Sequence, residues 1–316
     1  QTPEVNSIVE NIVDAAIGSR LVAIGIASGD EEEQKIEKGV WVKGIYGSHN
    51  QDTLKNISGY KGKSFGAVIG GDIEFNDDLL VGASIASIKS NFKFDGKKEG
   101  DKASANSLAV SLYGSKNLTN DFYIQGAVAV VHSDIKVESL KKFSNNIKKK
   151  TQAKFASIGA AIEMTVNYVK KFESGINLIP VVGFKFGKNS DSGFDEHGAG
   201  LYNVMVSSKK SQFLLAKAGA SITLPTIHVG SFNITPGFSA IGSRQLQAKS
   251  DKVKTKLNWE GKEYVQEVDL KSHQKNALTL GSSVTVSRNN IDLSANYDFT
   301  LKKRFKSHAG SLKLRV

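Results

Sequence analysis

From Lys38 onward, hydrophobic and polar residues alternate with a period of two. The stretch IDLSANYDFTL, residues 291–301, sets Ile291, Leu293, Ala295, Tyr297, Phe299 and Leu301 against Asp292, Ser294, Asn296, Asp298 and Thr300. Successive side chains of an extended chain point to opposite faces, so this period predicts a strand with one greasy side. SFGAVIGGDIEF sets Phe65, Ala67, Ile69, Ile73 and Phe75 against Ser64, Gly66, Gly70, Asp72 and Glu74. ASIGAAIEMTVNY sets Ile158, Ala160, Ile162, Met164, Val166 and Tyr168 against Ser157, Gly159, Glu163, Thr165 and Asn167. FNITPGFSA repeats the scheme with Phe232, Ile234, Pro236 and Phe238 opposite Asn233, Thr235 and Ser239. Each of these runs has one apolar face and one small or polar face.

About 12 such runs follow one another, at roughly 38–49, 62–76, 79–94, 104–117, 121–138, 153–171, 174–188, 206–226, 228–246, 274–288, 290–304 and 307–316. Their connections alternate in length. Short turns at 76–78, 117–121, 171–174, 225–230 and 287–290 are separated by longer polar segments at 50–61, 95–103, 139–152, 189–205 and 247–273. An up-and-down meander sorts its loops in this way when one end of every hairpin faces the periplasm and the other faces outward. The runs also exceed the roughly 9–11 residues that a tilted strand needs to cross hydrocarbon. The expected fold is therefore all-β: a transmembrane, antiparallel up-and-down β-barrel of about 12 strands, with the apolar faces toward lipid. A soluble lipocalin-like barrel or sandwich would have to hide the richer face and leave glycine and serine outside with no gain.

Residues 3–21, PEVNSIVENIVDAAIGSRL, break the pattern. Val5, Ile8, Val9, Ile12, Val13, Ala16 and Ile17 recur at helical spacing, with Pro3 and Glu4 suited to a first turn. The acidic spacer GDEEEQKIEKG, residues 29–39, leads on to the first strand. A barrel of about 12 strands has room for one helix about 10–12 Å across, so an N-terminal α-helix in the lumen is expected. The alternative is a helix on the membrane surface or free of the barrel, and its acidic polar face disfavours anionic lipid. The expected division is 1–37 as pore helix and linker and 38–316 as barrel, with Val5, Ile8, Asn11, Ile12, Asp14 and Arg20 as pore-helix residues.

Composition narrows the picture. Hydrophobic residues make up 40% of the 316 and mean hydropathy is -0.24, with no apolar run long enough for a spanning helix. Cysteine is absent, which removes disulfides and thiol chemistry. The start QTPEVNS carries no leader pattern, so the sequence is expected to have been cut from something longer. Net charge is +11, with lysines crowded into KKFSNNIKKK (141–150) and KSDKVKTKLNWEGKEY (249–264). Solvated loops explain such clusters; attraction to lipopolysaccharide phosphates or an acidic surface is the sharper reading. Nucleic acid is not an expected partner, since only Trp259 and Tyr264 place aromatics beside basic residues in one loop.

Catalytic and metal signals are sparse. His49, His132, His197, His228, His273 and His308 show no ligand spacing, so neither metal nor cofactor is expected. The sequence has no G-x-S-x-G elbow, and GAVIGGD lies inside a strand. A protease at the barrel rim would have His132 beside Asp134 as its best anchor. The expected lumen lining is more informative: Asp72, Glu74, Glu163, Asp292, Asn296 and Asp298 share the inner wall with Lys185, Lys217, Lys313 and Arg315. Mutual pairing and solvation account for such a lining. Alternatively, the carboxylates hold the polar face of the helix at Asn6, Asn11 or Arg20.

A helix, a spacer and then GVWVKGIYGSHNQ and GYKGKSFGAVIGGDIEFNDDLLVGASIA resemble the opening hairpins of autotransporter translocator domains, the β-domains of type V secretion. GDEEEQKIEKGVWVKG and the closing GSLKLRV are similar to the surface-cell-antigen autotransporters of rickettsia-like intracellular bacteria. The resemblance covers nearly the whole chain. It implies a non-enzymatic barrel of the bacterial outer membrane that supports export and surface anchoring of an upstream passenger, with residues 5–21 as the remnant of transit. In some autotransporters an asparagine inside the pore cleaves the passenger, and Asn6 and Asn11 are the candidates here. Strand 307–316 would carry the signal read by the outer-membrane assembly machinery. Family members usually end in an aromatic residue, whereas this chain stops at Val316, which suggests a missing residue or two. The expected partners are outer-membrane lipids and lipopolysaccharide, the passenger, the assembly machinery and periplasmic chaperones, with a monomeric barrel. A general diffusion porin and a rim protease are the alternative functions.

Overall fold

The computed structural model describes residues 37–53, 58–75, 78–142, 148–259, 262–268 and 275–316. The expected pore helix, and with it Val5, Ile8, Asn11, Ile12, Asp14 and Arg20, lies outside the described residues. Twelve long strands form the body: β1 Glu37–Gln51, β2 Tyr60–Phe75, β3 Leu79–Phe94, β4 Lys102–Asn117, β5 Phe122–Lys142 and β6 Lys148–Tyr168, followed by β7 Asn177–Asp191, β8 Lys209–Thr223, β9 Phe232–Ser250, β10 Asn276–Arg288, β11 Ile291–Lys302 and β12 Phe305–Arg315. Each pairs antiparallel with its neighbour in sequence, and β12 returns to β1, with Trp41 opposite Arg315 and Gln51 opposite Phe305. The sheet is thereby closed, which leaves no strand edge in the barrel wall.

Alternation sets the two faces. Outward positions expose Val40, Val42, Phe65, Ile69, Val110, Leu112 and Leu312, while Ser64, Asp72, Ser84, Ser90, Ser111 and Lys313 on the inner face are buried. The opening run follows suit: Ile291, Leu293 and Tyr297 are exposed, whereas Asp298 shares its register with Gly281 on the inner face. Tight turns close one end of the barrel. In the turn between β10 and β11, Asn289 takes φ 51°, a left-handed conformation that a short polar side chain tolerates. At the opposite end the connections range widely, from 192–208 and 251–275 down to 143–147 between β5 and β6, which take up most of the expected 139–152 loop, and Lys303 and Arg304 alone between β11 and β12. With 21 residues each, β5 and β6 run about 70 Å along the chain and project beyond a bilayer at the long-loop end.

Two features depart from the sequence expectation. First, the inner face of β1–β6 is not merely small or polar: Trp41, Ile45, Val68, Leu80, Ile88, Phe92 and Tyr113 form a buried cluster there. Glycines on neighbouring strands make room for the rings. A Cβ at Gly70 would lie 2.3 Å from the Trp41 ring, and one at Gly82 would lie 2.4 Å from that of Tyr113. Second, the segments 189–205 and 247–273, expected as loops, contain a small antiparallel sheet built from Phe194–Asp195, Val204–Val206, Val253–Trp259 and Lys262–Val268. Its alternation is written in lysine and glutamate, and so reads as a charge cluster. Lys256 meets Glu263 at 2.9 Å and Lys254 meets Glu267 at 3.4 Å across the outer hairpin. Phe194 stacks on Phe155 of β6 at 4.9 Å between ring centroids, which ties this sheet to the barrel.

Candidate functional site: the inner wall of the barrel

The inner wall is richest in paired polar groups toward the short-turn end, where β12, β1, β2 and β4 bring their inward residues together. The Trp41 indole nitrogen donates to the Tyr113 hydroxyl at 2.9 Å, and that hydroxyl donates to Asp72 Oδ2 at 3.0 Å. Arg315 approaches Asp72 at 3.9 Å and Asp292 at 3.6 Å, so one guanidinium spans carboxylates on β2 and β11. Lys313 places its ammonium 4.9 Å from the centroid of the Trp41 ring, at the distance of a cation–π contact. Lys43, directly opposite Lys313 in register, is attracted by Asp298 on β11. A buried charge needs an opposite charge or hydrogen bonds around it, and these residues supply both.

A second pairing lies farther round the wall. Lys217 on β8 donates to Glu163 on β6 at 2.6 Å, reaching across β7, whose Lys185 stands opposite Glu163 in register. Asn167 donates to Thr165, and Thr165 to Gln125, at 3.1 and 3.3 Å. Asn296 turns inward on β11, with its amide nitrogen buried and without a hydrogen-bond partner among the described residues. Glu74 also lies on the inward side of β2, one alternation beyond Asp72. The structure thus brings Asp72, Asp292 and Arg315 together and pairs Glu163 with Lys217. Lys185 stands beside the second of these groups, opposite Glu163 in register, while Glu74 and Asn296 occupy other heights of the wall.

Sequence reasoning missed Trp41, Lys43 and Tyr113. The signal was present: Val40, Val42 and Tyr46 fix the outward parity of β1, which turns Trp41, Lys43 and Ile45 inward. Tyr113 follows the same rule on β4, opposite Leu108, Val110 and Leu112.

Histidines are scattered. His49, toward the long-loop end of β1, sits between Ser307 at 2.9 Å and Ser64 at 3.3 Å, and Ser64 continues to Ser90 at 2.8 Å. His132 and Asp134 lie on the outward face of β5, with side chains 50% and 76% exposed, and so point away from the lumen. His228 is bonded to Asn233 near the short-turn end, His308 to Tyr297 on the outer face, and His197 pairs through its backbone with Gln152. His273 lies outside the described residues. Among the described residues no His, Cys, Asp and Glu gather in a group that could hold a metal ion.

An apolar outer belt, an inner wall that keeps the charged side chains, and complete closure define an outer-membrane β-barrel of the up-and-down class. A family model for the autotransporter β-domain matches residues 40–298, and the chain belongs to that family. Surface cell antigen sca1 of Rickettsia conorii is 28% identical over 99% of this chain and 16% of its own length. Outer membrane protein B of Rickettsia rickettsii is 27% identical over 93% of this chain and 18% of its own. The chain therefore spans about a sixth of the curated relatives it matches. Among solved structures, the translocator domain of the autotransporter NalP from Neisseria meningitidis superposes with a TM-score of 0.70 at 12% identity, covering 97% of this chain and 96% of that one. The β-domain of the Bordetella autotransporter BrkA gives 0.61 at 13%, covering 88% and 98%. At these identities the likeness shows the fold. The family places the chain in the bacterial outer membrane and implies an attached passenger domain.

Proposed function

We propose that the barrel is the translocator of a longer surface protein: it inserts in the outer membrane, supports export of an upstream passenger and anchors it at the cell surface. The observation that carries this reading is the closed barrel with paired charges on its inner wall, beside an apolar cluster, in a chain of the autotransporter β-domain family. A wall that offers carboxylates, cations and amides at many heights solvates the backbone of a polypeptide in transit without holding it at one place. Residues 3–21 close the pore as a helix after transit, with Asn6, Asn11 and Arg20 facing the carboxylates of the wall. The division into a pore segment at 1–37 and a barrel at 38–316 belongs to the same proposal. So do outer-membrane lipids and lipopolysaccharide, the assembly machinery and periplasmic chaperones as partners of a monomeric barrel.

No catalytic step is assigned. His132 and Asp134 face outward, which leaves the rim-protease alternative without a site in the lumen. The test is single-channel conductance in planar bilayers, comparing residues 1–316 with a version that starts at Glu37. A small, flickering conductance that becomes large and steady on deletion is the expected result. Equal conductance in the two would remove the plug and favour a diffusion porin.

A further inference from the structure

The lipid-facing surface is different at its two ends. Toward the short turns the apolar belt closes with aromatics: Phe75, Phe122 and Phe232 are exposed, and Phe122 packs against Tyr168 at 4.8 Å. Toward the long loops it closes with cations. On β2, β3, β6, β7, β8 and β12 the first charged outward residues beyond the apolar run are Lys63, Lys89, Lys154, Lys188, Lys210 and Lys306, all exposed. Neighbouring strands lie about 4.8 Å apart, so Lys63 and Lys89 on β2 and β3 stand close together, and the row of cations is broken on β5 by Asp134, level with Lys89 in register. Aromatic girdles are ordinary for membrane barrels, whereas an excess of cations at one end of the belt favours anionic headgroups there.

Beneath Lys63 and Lys89 the outer surface is dented. A trough of about 720 Å³ runs over β12, β1 and β2, lined by Gly44, Tyr46, Phe65, Ala67 and Leu312, with Lys89 at its edge. Its floor exists because two side chains are missing. Nothing lies within 4 Å of where a Cβ would stand at Gly44 or at Gly310. Tyr46, Phe65 and Leu312 are half-exposed around it. Phe65 stands directly opposite Lys89 on β3, and Lys63 is the next outward residue on its own strand, so two cations sit over the mouth of an apolar slot.

We propose that this trough and the lysines above it bind a lipid with a bisphosphorylated headgroup, of the lipid A class. An acyl chain lies against Gly44, Gly310 and Ala67, and the phosphates rest on Lys63 and Lys89. Two lysines at the mouth of one slot, Lys63 and Lys89, favour a headgroup with two phosphates over a singly charged one. The inference rests on the reading that the long-loop end faces the outer leaflet.

The test uses the 316-residue chain in neutral detergent. It is titrated with lipid A, with phosphatidylglycerol and with phosphatidylcholine, and bound lipid is counted by native mass spectrometry. Lipid A is expected to bind most tightly. Lys63→Ala with Lys89→Ala should weaken it roughly tenfold. Gly44→Leu, which fills the trough without touching a cation, should weaken it by a similar factor. Equal binding of the three lipids, or lipid A binding that neither variant changes, overturns the proposal. Stronger binding of phosphatidylglycerol also overturns it, in favour of a glycerophospholipid. Flotation with phosphatidylcholine vesicles is read separately: a wild-type chain that fails to float sinks the membrane-barrel reading itself, whereas one that floats but shows no lipid preference sinks only this inference.

Discussion

Tyr113→Phe removes one oxygen from the inner wall and tests whether its polar chain stabilises the barrel. The hydroxyl accepts from Trp41 and donates to Asp72, and Trp41, Tyr113 and Asp72 are 1%, 3% and 4% exposed, so water cannot replace it. A buried neutral donor left without its acceptor costs about 1–3 kcal/mol, and a hydrogen bond to a charged group contributes about 1.5–3 kcal/mol. Arg315 stays beside Asp72 in the variant and offsets part of the second loss. The expected destabilisation is about 3 kcal/mol. Urea unfolding in detergent, followed by fluorescence, reports it directly, because Trp41 is one of the 2 tryptophans and lies in the affected cluster. Tyr264→Phe, on an exposed residue of the outer hairpin, is the control and should stay within about 0.5 kcal/mol of wild type. A loss below about 0.5 kcal/mol in Tyr113→Phe would refute the reasoning and make the polar chain a by-product of packing.

The pair between Lys217 and Glu163 should show a coupling of about 1–2 kcal/mol in a double-mutant cycle of Lys217→Met with Glu163→Gln, since both side chains are about one-fifth exposed and partly screened. A coupling indistinguishable from zero would mean that the two charges are solvated independently. Phe194→Ala should release the small outer sheet, because the ring stack on Phe155 is lost. Limited proteolysis between residues 194 and 206 is expected to speed up while the unfolding free energy of the barrel stays within about 0.5 kcal/mol of wild type. Unchanged cleavage would show that the backbone pairing of Gln152 with His197 and the ion pair of Lys141 with Glu196 hold the sheet without the ring stack.

Barrel class, strand number and face were legible in the sequence because a period of two leaves little freedom: in IDLSANYDFTL a shift of one residue would turn every carboxylate to lipid. Alternating connection lengths gave the two ends for the same reason of geometry. The outer sheet was not legible, because Val253, Thr255 and Leu257 alternate with Lys254 and Lys256 inside a segment whose charge density outweighs its pattern. The pairing of Asp72 with Tyr113 was hidden for a different reason. It depends on an aromatic residue reaching over Gly82 on the strand between them, and only three-dimensional register shows that a missing Cβ and a ring belong together. Lys43 was overlooked because a lysine in VWVKGIY reads as an interruption of an apolar run, whereas it is the inward member of a regular alternation.

Among the described residues, the closure of β12 on β1 is the one long-range pairing of the barrel wall. Every other pairing in the barrel joins neighbours in sequence, so each hairpin can zip independently of the rest. The seam instead joins Gln51 to Phe305 and Trp41 to Arg315, across nearly the whole chain. In a flexible chain, bringing such distant segments together would cost about 5 kcal/mol of loop entropy, and the hairpins formed between them reduce that cost. Arg315, Lys313 and Trp41 cluster along this same seam. They tie the first and last strands to each other, so the wall closes through side chains as well as through backbone pairing.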